Sequence, residues 1–129
     1  MESQNRASRS GAFRLVLSPN RRAGARARKA IRQRFSETLL STTLGDLFSV
    51  ITELVNNSVQ HGPGKPITVT LVMSGESIRG EVADQGNPAS AIPEIKTGGR
   101  GLAVVDKLTA KWGVYERSTH VWFEMLVDP

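Results

Sequence analysis

The apolar residues of this chain change their spacing at one place, and that change limits the folds open to it. Leu44, Leu47, Phe48, Ile51, Leu54, Val55 and Val59 recur with a helical period and predict a helix over Thr43–Gln60. Asp46, Glu53, Asn57 and Gln60 occupy its opposite, polar side. The helix must stop at His61-Gly62-Pro63-Gly64-Lys65-Pro66, because glycine ends helices and proline cannot continue them. Beyond that point the period is two. Ile67, Val69, Leu71 and Met73 share one face of a strand over Ile67–Met73. A second strand, Ser77–Asp84, sets Ile78, Val82 and Asp84 on one face and Arg79 and Glu81 on the other. Ser74-Gly75-Glu76 joins the two as a hairpin. A one-faced helix followed by a one-faced hairpin must pack layer on layer.

The remainder fits that plan. Residues 1–11 are polar and read as a flexible tail, leaving 12–129 as a single domain. Ala12–Leu17 reads as a strand with Phe13, Leu15 and Leu17 on one side. Ser18-Pro19-Asn20 is a turn, with Ser18 or Asn20 as a cap for a helix over Asn20–Phe35. Ala23, Ala27, Ala30, Ile31 and Phe35 form the inward face of that helix. Gly24 should weaken its first turn by roughly 1 kcal/mol relative to Ala and let it fray. Gln85–Thr97 has no useful period and reads as a loop. A third helix opens at Gly98-Gly99-Arg100-Gly101, with Leu102, Val105 and Leu108 inward. A last hairpin pairs Trp112–Arg117 with His120–Val127 around Ser118-Thr119. The expected class is α+β: a two-layer sandwich with a mixed, mainly antiparallel sheet and helices on one face.

The absence of cysteine excludes a disulfide scaffold, a thiolate zinc site and a thiol nucleophile. No apolar run approaches the ~18 residues of a membrane span, and Met1–Gly11 lacks the apolar core of a signal peptide, so a cytoplasmic protein is expected. The charge is lopsided. Residues 1–36 hold ten Lys/Arg and one acid, Glu2, whereas 37–129 hold seven Lys/Arg and eleven acids. Such a basic segment suits nucleic acid, an acidic protein surface, or only water.

Three short motifs carry chemistry. Glu53 and Asn57, four apart, share a helix face. A carboxylate there can take a proton and an amide oxygen can ligate a hard cation, but both residues also suit a solvated face. Asp84-Gln85-Gly86 ends a strand with a carboxylate on the inward side, which needs a partner: a ligand amine, or N–H groups of the loop. Gly86 permits a close approach of ligand to backbone, or simply a turn. Gly99-Arg100-Gly101-Leu102 at a helix start offers free N–H groups and a cation to phosphate, although glycines also open helices that bind nothing. No Walker A or dinucleotide fingerprint is present.

In this order, Glu53-Leu-Val-Asn-Asn-Ser-Val-Gln-His-Gly62, Val82-Ala-Asp-Gln-Gly86, residues 98–114 (GGRGLAVVDKLTAKWGV) and Val121-Trp-Phe-Glu-Met125 resemble the N, G1 and G2 boxes and final strand of the GHKL ATPase superfamily. The resemblance spans Phe13 to Val127 and is greatest to small stand-alone anti-sigma factors that are serine/threonine kinases. It implies a Bergerat-type sandwich holding ATP between helices and a lid loop at 87–98. It implies Glu53 as general base and Asn57 as the Mg²⁺ ligand beside the ATP phosphates. Asp84 would accept from the adenine amine, Gly86 would admit the base, and Gly99, Arg100, Gly101 and Leu102 would line the phosphates. The partners it implies are a sigma factor and a STAS-type anti-anti-sigma protein, the phosphoryl acceptor, with a homodimer also expected. Two positions differ from relatives: Pro88 stands where a second G1 glycine is usual, and His120 where a threonine usually contacts adenine.

The resemblance leads to a regulatory ATP-dependent kinase. The alternative is a non-catalytic module of the same fold, with ATP structural or absent. Direct nucleic-acid binding is not expected, because the basic helix lacks the interleaved aromatics of single-strand binders.

Overall fold

Five strands form one sheet, and its order separates it from a simple meander. The structure is a computed structural model that describes residues 12–62, 64–84, 100–115 and 120–127. Strand β1 is Ala12–Leu17, helix α1 Ala23–Phe35 and helix α2 Ser41–His61. Strands β2 (Ile67–Ser74) and β3 (Ser77–Ala83) follow, then helix α3 (Arg100–Leu108) and strands β4 (Lys111–Val114) and β5 (His120–Leu126). The sheet order is β1-β2-β3-β5-β4. Every pairing among the described residues is antiparallel, in keeping with the expected mainly antiparallel sheet of an α+β sandwich. The physical reason is the path of the chain: it reverses at two hairpins, and α3 returns it so that β5 enters beside β3 head to tail.

Alternation decides which face is buried. Leu17, Ile67, Val69, Leu71, Ile78, Val82, Val121, Phe123 and Met125 point to the helices and are buried. They meet Leu47, Val50, Ile51, Leu54 and Val55 of α2, Ala27, Ile31 and Phe35 of α1, and Leu102 and Val105 of α3 in one core. Each large side chain so buried contributes roughly 1.5–3 kcal/mol. Gly80 lies opposite Phe123 in the register, and its missing side chain is what that ring fills: a Cβ at Gly80 would fall 2.3 Å from Phe123 Cζ. Among the described residues no helix covers the other face of the sheet. There Arg79 stacks on Trp122 with 4.7 Å to the ring centroid, and Tyr115 donates to Glu81 Oε2 at 2.7 Å. Of the two tryptophans, Trp112 instead packs against the core and donates Nε1 to Asp106 at 2.9 Å.

The helix starts differ from expectation. Asn20 does not open α1; its Oδ1 accepts from the Arg22 N–H at 2.9 Å, and this side-chain turn precedes the helix at Ala23. Gly24 is buried inside α1 rather than frayed. A Cβ there would lie 3.2 Å from Asn56 Oδ1 and 3.5 Å from Thr52 Cγ2, so its smallness brings α1 against α2. Helix α2 begins two residues early, at Ser41, and ends at His61, where Gly62 takes over. β4 is shorter than expected, closing at Val114, and residues 116–117 lie outside the described residues. So does the 1–11 tail.

Candidate functional site

Glu53, Asn57 and His61 are one turn apart in sequence and form a stripe along α2. Glu53 and Asn57 are half-buried and His61 is exposed. From Glu53 to His61 the stripe covers about 12 Å, at 1.5 Å of rise per residue. It ends beside Asp84. That carboxylate is only 8% exposed, at the inner side of the sheet just after β3. Gly62 makes the approach possible: a Cβ on it would stand 3.1 Å from Asp84 Oδ2 and 2.4 Å from the Ser58 carbonyl oxygen. The Gly62 N–H also donates to that carbonyl at 2.8 Å, closing α2 against the end of β3. Two residues 22 positions apart, Gly62 and Asp84, are thus brought together by the fold.

At the opposite end of the stripe lies an open groove of about 330 Å³. Its walls are Arg28 of α1, Phe48, Ser49, Thr52 and Glu53 of α2, and Val104 of α3. Arg28 Nη1 donates to Thr52 Oγ1 at 3.1 Å, which fixes the guanidinium at the groove wall. Arg32 lies over the Phe48 ring, 5.0 Å from its centroid, and firms the same corner. A cation and a carboxylate therefore share one groove with no ion pair between them. In the sequence Arg28 is only one of the ten Lys/Arg of residues 1–36. The signal that singles it out is the small-residue run Ala23, Gly24 and Ala27, which brings α1 close enough for the next turn to reach α2.

Helix α3 lies beside this groove. Leu102 is 4% exposed, so its side chain anchors the start of α3 in the core. Arg100 and Gly101 form the first helical residues, where backbone N–H groups have no partner within the helix. Gly86, Pro88, Gly99 and the loop 87–98 lie outside the described residues.

His120 is placed differently from the expectation that it borders the adenine position. It pairs with Ala83, and its neighbour Val121 is the inward residue. The His120 side chain lies on the face away from the helices, in a shallow site of about 350 Å³ with Arg14, Thr68, Thr70, Glu81 and Ala83. Its ring packs edge-on against Tyr115 at 5.5 Å. Strand alternation sends adjacent side chains to opposite faces, so His120 and Asp84 are on different sides of the sheet.

Among the described residues no group of three or more His, Asp or Glu gathers as a metal cluster. The amide oxygen of Asn57 is a hard donor of the kind Mg²⁺ takes, and Mg²⁺ needs few protein ligands because it keeps water or substrate phosphate oxygens. No helix among the described residues is long and apolar enough to cross a membrane.

Comparison with known proteins agrees with this fold. A family model, the histidine kinase-like ATPase domain, matches residues 17–125. No curated protein matches the chain. Among solved structures, that of the RsbU and RsbW domains of Rv1364c from Mycobacterium tuberculosis superposes with a TM-score of 0.68 at 20% identity. The match covers 92% of this chain and 33% of that one, so this chain spans about a third of that protein's solved length. At this identity the likeness concerns the fold, and the family model extends it to sequence: the chain belongs to the histidine kinase-like ATPase domain family.

Proposed function

We propose that this chain is an ATP-binding regulatory kinase that transfers the γ-phosphoryl group of ATP to a serine or threonine of a STAS-type anti-anti-sigma protein, and that it also sequesters a sigma factor. The observation that carries the reading is the stripe on α2, which leads from the Asp84–Gly62 contact through Asn57 to Glu53 and its groove. Family membership supports ATP as the nucleotide. The RsbW domain in the matching structure's name supports the regulatory setting.

In this reading Asp84 accepts a hydrogen bond from the adenine amine. Asn57 would hold Mg²⁺, which when bound would neutralise charge on the phosphate oxygens. The first N–H groups of α3, with Arg100, face the phosphates, as helix N-termini favour anions. Glu53 takes the proton of the acceptor hydroxyl while the hydroxyl oxygen bonds to the γ-phosphorus and the bond from that phosphorus to the ADP oxygen breaks. Phosphoryl transfer rests mainly on positioning and charge neutralisation, so one base and a few donors suffice.

The test is incubation with γ-labelled ATP, Mg²⁺ and a purified STAS-type anti-anti-sigma protein. Label on a serine or threonine of the partner is the expected result. ATP-dependent thermal stabilisation with no transfer of label leaves a nucleotide-binding module and removes the kinase. No stabilisation by millimolar ATP removes both.

A further inference from the structure

In the kinase reading an acceptor hydroxyl has to reach Glu53, and α2 itself carries one a single turn away, on Ser49. Residues four apart on a helix face the same way, with about 5–6 Å between their Cβ atoms. Long helical side chains lean back over the preceding turn, which directs the Glu53 carboxylate toward Ser49. Both residues line the open groove of about 330 Å³, with Val104 of α3 on its far side. Ser49 is exposed and takes no part in the core. Its Oγ donates to the Gly45 carbonyl oxygen at 3.2 Å, a long bond that rotation about χ1 releases. Gly45 leaves the surface beside it open, since a Cβ there would meet nothing within 4 Å. A group larger than a hydroxyl therefore fits at Ser49.

The groove also holds what a phosphate at that position needs. Arg28 Nη1 is tied to Thr52 Oγ1 at 3.1 Å, three residues beyond Ser49, and the other N–H groups of Arg28 have no partner among the described residues. Guanidinium and phosphate form short, charge-assisted hydrogen bonds. Arg32, held over the Phe48 ring, adds a second cation at the same corner. Glu53 and Asp46 repel a phosphate on Ser49, which turns it toward the arginine side. Thr52 is the other hydroxyl of the groove wall, but it is half-buried and its oxygen is held by Arg28.

We propose that, with no partner in the groove, the chain phosphorylates its own Ser49, and that this phosphate, paired with Arg28, closes the groove to the partner's hydroxyl. This rests on the kinase reading above and adds to it a modification site and a form of regulation. The Ser49 Oγ bonds to the γ-phosphorus of ATP, its proton passes to Glu53, and the bond from that phosphorus to the ADP oxygen breaks, releasing ADP.

The experiment incubates the purified chain alone with γ-labelled ATP and Mg²⁺ and reads its intact mass and the labelled peptide. The expected result is a single phosphate on Ser49, gained at a fractional rate independent of chain concentration, as for a reaction within one molecule. Ser49→Ala takes no label and Ser49→Thr regains it, and both keep the ATP-induced rise in melting temperature. An excess of the purified STAS-type protein removes most of the self-labelling, because the two hydroxyls compete for one groove. A second measurement needs no nucleotide: Ser49→Asp, which places a negative charge in the groove, should associate with the STAS-type protein at least about tenfold more weakly than the unmodified chain. Label on the partner with none on the chain overturns self-phosphorylation and leaves the kinase reading standing, whereas label on neither overturns both. Label on Thr52 or any residue other than Ser49, or a fractional rate that rises with chain concentration, also overturns the proposal. Association unchanged by Ser49→Asp overturns the closure of the groove.

Discussion

Gly62 and Asp84 are in contact across the end of the sheet, with room for nothing larger than a hydrogen on Gly62. A Cβ there would meet the Ser58 carbonyl oxygen at 2.4 Å and Asp84 Oδ2 at 3.1 Å. The first of these is backbone and cannot swing aside. Gly62→Ala is therefore expected to destabilise the fold by about 1–3 kcal/mol, the usual range for overpacking. Denaturant unfolding measures it, and ATP titration of the folded variant reads the displacement of Asp84. A variant with unchanged stability would show that the end of α2 shifts freely.

Asp84→Asn tests the carboxylate itself. The amide keeps the shape but loses the charge, and hydrogen bonds to charged groups contribute about 1.5–3 kcal/mol. ATP affinity should fall at least about tenfold, and the ATP-induced rise in melting temperature should shrink with it. An undiminished rise would remove Asp84 from the nucleotide site.

Glu53→Gln separates binding from chemistry. The side chain remains in its groove beside Thr52, so the ATP-induced shift should persist. Phosphotransfer should fall by about 10²–10⁴, because the amide takes no proton at neutral pH. Wild-type turnover in a single-turnover assay would exclude Glu53 as the base.

His120→Thr follows from the face on which that residue lies. The substitution supplies the side chain that the sequence resemblance implies there, but on the side of the sheet away from Asp84. ATP affinity should stay within about twofold of the parent, a change of less than ~0.5 kcal/mol. A gain of tenfold or more by calorimetry would place position 120 at the nucleotide after all.

Much of the fold was legible because the signal was periodic. The stripe from Leu44 to Val59 and the alternation from Ile67 to Val82 required only counting, and the helix and both strands form within two residues of their expected ends. Helix starts were less legible. At Asn20 a side-chain turn and a helix cap look alike in sequence, and backbone geometry chose the turn. The Glu53–Asn57 pair was readable from its spacing on one helix, which needs no tertiary information.

What the sequence determined by itself is local: the period of each segment, the breaks at glycine and proline, the face on which each chemical group lies along its own element, and the concentration of charge before residue 37. What the tertiary structure decided is everything that depends on two distant segments meeting. Strand order put β5 between β3 and β4, and register set Phe123 into the space at Gly80. Parity turned His120 away from Asp84, because a shift of one residue exchanges the faces of a strand. Gly24 marks the same division. Alone it is a weak helix former, and only against Thr52 and Asn56 does its missing side chain bring α1 to α2 and Arg28 into the groove with Glu53.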